Sequence, residues 1–182
     1  MSERMSACIR IGGRLRHRLV PDFCQVIKQQ GVALDFGEGR FAPSTPEDLL
    51  AARVKEGGSL VMQLCDDQAR WGWFAVLEPF LQKHRLPFDR QTEANGAYEA
   101  SLTQFRPGRP LQSIPTDSAG RAIVEVSPLR PVTLLLDQAI RQFEQAPPRR
   151  RLAPFRRAYR LLRQLLPAPV SPLPAFTIGG IP

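Results

Sequence analysis

The stretch LPFDRQTEANGAYEASLTQF, Leu86 to Phe105, decides the fold. Leu86–Thr92 and Ala97–Phe105 flank Glu93-Ala94-Asn95-Gly96, and Asn-Gly between two such runs is the strongest short-range hairpin signal, because both residues tolerate positive φ. The chain turns again at Arg106-Pro107-Gly108. Leu111–Ile114 and Arg121–Val126 then flank Pro115–Gly120, and the β-branched alternation of Ala122-Ile123-Val124-Glu125-Val126 reads as a strand. These runs predict an antiparallel meander.

Helical signals lie on both sides of it. Pro21 opens a helix at a position where a missing N–H costs nothing, and Gly31 stops it after the stripe Phe23, Cys24, Ile27. Thr45-Pro46-Glu47-Asp48 supplies a capping hydroxyl, a first-turn proline and two carboxylates at the positive helix end. That helix is expected to run to Gly57-Gly58. Ala7–Ile11, ended by Gly12-Gly13, reads as a strand, as do Val32–Phe36 and Ser59–Leu64. A helix capped by Asp66 or Asp67 is expected to carry Trp71, Phe74, Leu77, Phe80 and Leu81, with a kink or break near Val76–Glu78 imposed by Pro79. A last core helix is expected from about Pro131 to Glu144. The whole reads as α+β: an antiparallel sheet of about four to five strands, with helices packed mainly on one face, plus a C-terminal basic amphipathic helix and a Pro-rich tail.

The 182 residues, 43% of them hydrophobic, suit one compact domain with an appendage. The domain is expected over 1–146, a basic helical arm over 147–166 and a Pro-rich extended tail over 167–182. The formal net charge is +8. Seven of the arginines fall in PRRRLAPFRRAYRLLR, Pro148 to Arg163, which contains no acidic residue. They are Arg149, Arg150, Arg151, Arg156, Arg157, Arg160 and Arg163. So local a positive field says something about partners. Arginine rather than lysine dominates the basic set, as in a GC-rich bacterial genome. Its forked donors suit phosphate or carboxylate.

In the same segment Leu152, Phe155, Tyr159, Leu162 and Leu166 recur at spacings of three and four, one apolar stripe that something must cover. Three partners fit: nucleic-acid phosphates, the groove of a protein, or an anionic membrane surface contacted peripherally. The bland alternative is that the stripe packs on the protein's own sheet. A second positive cluster is Arg10, Arg14, Arg16 and Arg18 with His17. Arg90, Arg106 and Arg109 with Tyr98 and Phe105 form a weaker base-stacking candidate.

Little points to catalysis. Cys65-Asp66-Asp67 ends a strand, where chemistry often sits, but has no neighbouring His and no matching carboxylate pair. A helix cap plus a buried thiol is the simpler reading. Cys8, Cys24 and Cys65 are far apart and odd in number, so reduced thiols are expected. No metal-ligand spacing and no phosphate-binding glycine loop is present, so no metal, no cofactor and no catalytic residue is assigned. Arg10–Arg18 with upstream Ala and Ser has a transit-peptide composition, against which Glu3 and the Gly12-Gly13 turn count. No apolar run approaches a membrane span, and a cytoplasmic protein is expected. The reading is a non-enzymatic binding protein acting on nucleic acid or within a nucleoprotein assembly through the arginine-rich helix. The alternative is a protein–protein interaction module (adaptor, inhibitor or accessory subunit) docking by the apolar stripe and the Pro-rich tail.

Overall fold

The computed structural model describes residues 4–96, 98–143 and 152–180. The chain divides into two compact units, Met1–Ala122 with Val170–Pro182, and Ile123–Pro169. The first is α+β. Its strands are β1 (Arg4–Ile11), β2 (Gly13–Arg16), β3 (Arg53–Glu56), β4 (Ser59–Arg70), β5 (Phe88–Thr92), β6 (Ser101–Phe105), β7 (Gln112–Pro115) and β8 (Phe176–Gly179). Its helices are α1 (Val20–Gln30), α2 (Pro46–Ala51) and α3 (Leu77–Lys83).

Six strands form one sheet in the order β3-β4-β1-β5-β6-β7, with neighbours antiparallel. The β5–β6 hairpin is the one that Asn95-Gly96 predicts, with Asn95 bridged to Tyr98. The sheet exceeds the four to five strands expected because of one segment read as helix. Helix α2 stops at Ala51, and Arg53–Glu56 becomes an edge strand whose turn to β4 is Gly57-Gly58, at φ 53° and 89°. Positive φ at both positions is the requirement of a type I′ two-residue hairpin turn. Arg121–Val126, by contrast, contributes only a bridge from Thr116 to Ala122. Val32–Phe36 likewise contributes only the Ala33–Cys65 bridge.

The expected helix after Asp66-Asp67 is also corrected. Both aspartates lie on β4, which continues to Arg70, and Asp67 accepts a hydrogen bond from the Gly37 N–H at 2.9 Å. The chain then reverses at Trp71 and Gly72, both left-handed. Helix α3 starts only at Leu77, so Pro79 sits in its first turn, where it breaks nothing.

Alternation along β1 turns Ala7, Ile9 and Ile11 to one side, all fully buried. They meet Met62 and Leu64 of β4, Phe23 and Ile27 of α1, Leu49 of α2, and Leu77 and Leu81 of α3 in one hydrophobic core. The Pro-rich end joins this core. Phe176 is fully buried, 6.2 Å from the Phe23 ring, and β8 pairs parallel with β2. Proline forbids helix there but not an edge strand.

The expectation of reduced thiols is overturned as well. Cys65 exchanges both backbone hydrogen bonds with Ala33 on one side. On its other side it therefore faces Cys8 as a non-hydrogen-bonded pair, where side chains approach most closely. Their Cα atoms are 4.3 Å apart and a disulfide joins them; Cys24 is free and buried.

The second unit holds a 3-10 turn (Ser127–Leu129) followed by α4 (Arg130–Phe143) and α5 (Ala153–Leu165). The two helices pack together through buried Val132, Ala139 and Ala158, with the Phe143 and Phe155 rings edge to face at 6.1 Å. Small residues at the contact let helices approach closely. Helix α4, expected as a core helix of the sheet, belongs to this unit, and its Leu134 and Ile140 are exposed.

Candidate anion-binding surfaces

Arg156, Arg157, Arg160 and Arg163 of α5 are exposed, and none forms an ion pair among the described residues. Arg149, Arg150 and Arg151 lie outside the described residues. The predicted apolar stripe divides. Phe155 and Leu162 are half-buried, whereas Leu152, Tyr159 and Leu166 are exposed. The helix turns Ala158 inward instead, because a contact between two helices within a small unit favours its smallest side chain. Between α4 and α5 a groove of about 620 Å³ is lined by Leu134, Leu135, Leu161, Arg157 and Arg160, among others.

The N-terminal cluster is built differently. Leu15 is buried, so Arg14 and Arg16, one residue to either side on β2, both face outward. Arg10 is not with them; it is on β1, paired with Glu56 at 2.7 Å. The glycines beside it have spatial reasons. Gly12 donates to the Pro87 carbonyl and Gly13 to those of Pro174 and Ala175. A side chain on Gly13 (φ 88°) would meet Pro87 at 2.8 Å. Three segments thus converge behind β2.

Helix α3 reaches the same place by packing on α1, with the Phe23 and Phe80 rings stacked at 5.4 Å. At its C-terminus the Leu86 N–H bonds the Leu81 carbonyl at 2.9 Å and the Arg85 N–H bonds that of Gln82 at 3.1 Å. This is a Schellman motif, completed by apolar contact of buried Leu81 and Leu86. The left-handed position in such a motif is normally glycine; here it is Arg85, at φ 58°.

Arg14, Arg16, Lys83, His84 and Arg85 therefore line one cavity of about 130 Å³ with Leu15, Leu19 and Leu86. None of the lining residues is acidic. Neither the 3-10 turn His17–Leu19 nor α1 has a side-chain cap at its N-terminus beside it. Burial, followed by the charge of Lys83, Arg16 and Arg18, holds the His84 imidazole below its ordinary pKa; Asp22 of α1 opposes this. His17 and Arg18 are exposed in the adjoining turn.

The base-stacking candidate is not available as predicted. Arg90 is buried and bonded to Glu78 at 2.6 Å and to the Thr103 hydroxyl at 3.0 Å. Arg106 clasps both carboxylate oxygens of Asp89 and, through Nε, the Ser171 carbonyl. Both arginines serve the sheet and the returning C-terminus rather than a ligand. The disulfide likewise removes Cys65 as a nucleophile. Among the described residues no cluster of three or more His, Cys, Asp or Glu could hold a metal ion, and no helix is long and apolar enough to cross a membrane.

Lys83-His84-Arg85 escaped the sequence reading. The local signal was a helix ending in Lys-His-Arg before Leu-Pro, with no glycine to stop it. The pairing of the exposed Trp71 and Tyr98 rings, edge to face at 5.7 Å, is likewise absent from the sequence reading, because Trp71 stands in a turn where a helix is expected. No protein-family model, curated protein or solved structure matches the chain.

Proposed function

We propose that this is a non-enzymatic binding protein that engages nucleic acid, or the phosphate-bearing surface of a nucleoprotein assembly, through α5. The observation that carries the reading is that Arg156, Arg157, Arg160 and Arg163 are exposed and face no carboxylate partner among the described residues. Forked guanidinium groups free of internal pairing are suited to phosphate oxygens, and each phosphate neutralised releases condensed counterions. Such contacts position a backbone without reading its sequence. A cytoplasmic setting goes with such a partner.

The test is binding of labelled duplex and single-stranded oligonucleotides between about 50 and 200 mM salt. Affinity should fall steeply with salt. Replacing the four arginines of α5 by alanine should lower the log–log slope for duplex by about 3 to 4, one phosphate contact each. A slope near zero, or an unchanged slope in the variant, overturns the reading.

One observation favours a second reading, an interaction module for an acidic protein. The α4–α5 groove has an apolar floor with Arg157 and Arg160 on its walls, and Leu134, Ile140, Leu152 and Tyr159 are each more than half exposed. Under that reading alanine at Leu134 and Leu161 weakens partner capture more than alanine at the arginines. The Pro-rich tail would contribute less, since its Phe176–Gly179 is engaged in β8.

A further inference from the structure

The structure assigns the cavity between β2 and the C-terminus of α3 to a phosphate monoester or an equally small dianion, a site in the sheet-bearing unit that is independent of α5. Three features support it. The first is convergence: Arg14 and Arg16 come from one strand, and Lys83, His84 and Arg85 from a helix end about 70 residues away in sequence. None of Arg14, Arg16, Lys83 and Arg85 forms an ion pair among the described residues. Cations facing one another without a counter-charge repel; a dianion in the cavity adds an attraction to each of them that offsets that repulsion.

The second is the conformation of Arg85. A helix C-terminus favours a basic residue in its last turn, which accounts for Lys83. It does not account for a bulky residue at the left-handed position, where glycine is at ease and L side chains are strained. Strain retained at a residue that lines the cavity supports a functional use of that position. The third is the support of Arg14. Its Nε lies so close to Gly179 that a Cβ there would stand 2.6 Å away, so the side chain rests on bare backbone of β8. The cavity, about 130 Å³, has room for a phosphate group.

His84 adds a pH dependence. Its ring lies tilted against that of Phe80, centroids 4.4 Å apart, and it faces Lys83 and Arg85 on its own segment, Arg16 and Arg18 from β2 and the turn after it, and Asp22 from α1. A bound dianion favours the imidazolium, so binding takes up a proton and tightens as pH falls through the histidine range.

The experiment follows the His84 ring signals by NMR while inorganic phosphate, and separately sulfate, is titrated into the full chain. Saturable shifts are expected, with Arg14→Ala and Lys83→Ala each weakening binding by about tenfold, as for one lost charge-assisted hydrogen bond. Sulfate keeps its charge from about pH 8 to about pH 5.5 and should bind more tightly at the lower value. Arg85→Gly separates function from folding: it should weaken binding while raising the midpoint of thermal unfolding. Alanine at the four α5 arginines should leave phosphate binding unchanged.

A short oligonucleotide with a 5′-phosphate, compared with its 5′-hydroxyl form, distinguishes a free ligand from a nucleic-acid end. A gain from the 5′-phosphate supports a terminal phosphate as the occupant; binding of inorganic phosphate without that gain supports a free one. Non-saturable shifts, or binding unaffected by both Arg14→Ala and Arg85→Gly, overturn the assignment.

Discussion

At the scale of single residues, the arginines of this chain do three different jobs that composition cannot distinguish. Arg90 and Arg106 are structural. Arg90 is paired with Glu78, and that carboxylate also accepts the Phe74 N–H at 3.0 Å, which fixes the approach to α3. Removing one partner of a buried pair leaves an uncompensated charge. Glu78→Ala should therefore cost about 3–5 kcal/mol, read from denaturant unfolding, whereas replacing both partners by well-packed apolar residues should cost far less. Arg14, Arg16 and Arg85 face a cavity with no counter-charge in its lining, and the arginines of α5 face solvent. Arg90 and Arg106 read from sequence as a weak stacking candidate because a guanidinium near an aromatic residue looks the same whether it points into a core or out of it. Only burial separates the two cases.

At the scale of elements, local chemistry was legible wherever one residue type has one conformational use. Thr45 caps α2 by accepting the Asp48 N–H at 3.2 Å, and the Asp48 carboxylate answers the Thr45 N–H at 2.9 Å. The backbone N–H groups of Ser44 and Thr45 hold the Asp48 carboxyl below its usual pKa. Its folded pKa is thus below its unfolded one, so the cap's contribution is present at neutral pH and is lost as pH falls through the folded value. Thr45→Ala should cost about 1 kcal/mol at pH 7, seen as a lowered unfolding midpoint in urea. The same signal said nothing about length. R-V-K-E after α2 satisfies a helix or a strand, and β4 decides between them by offering Arg53–Glu56 a partner. The basic cavity was invisible at this scale for the same reason: β2 contributes Arg14 and Arg16, the end of α3 and the two residues after it contribute Lys83, His84 and Arg85, and neither segment alone resembles a site.

At the scale of the whole molecule, long-range pairing closes the fold. The disulfide spans 57 residues in sequence across two neighbouring strands. Restricting the unfolded chain over such a loop is worth about 2–4 kcal/mol. Reduction, or the Cys8→Ser variant, should lower the unfolding free energy by about that amount; identical melting with and without reductant would show that the bond is not formed in solution. In a cytoplasmic setting the bond would stand against a reducing poise. By itself the sequence determined the α+β class, the Asn-Gly hairpin, the cap of α2, the glycine stop of α1 and the concentration of arginine near the C-terminus, since each follows from backbone conformation or composition over a few residues. Tertiary structure alone decided that Cys8 meets Cys65, that the proline-rich end returns as β8, that α4 packs with α5, and that Lys83, His84 and Arg85 join Arg14 and Arg16. These depend on which strands pair and which helix faces pack, energies summed over contacts between distant segments, and no short window of sequence contains them.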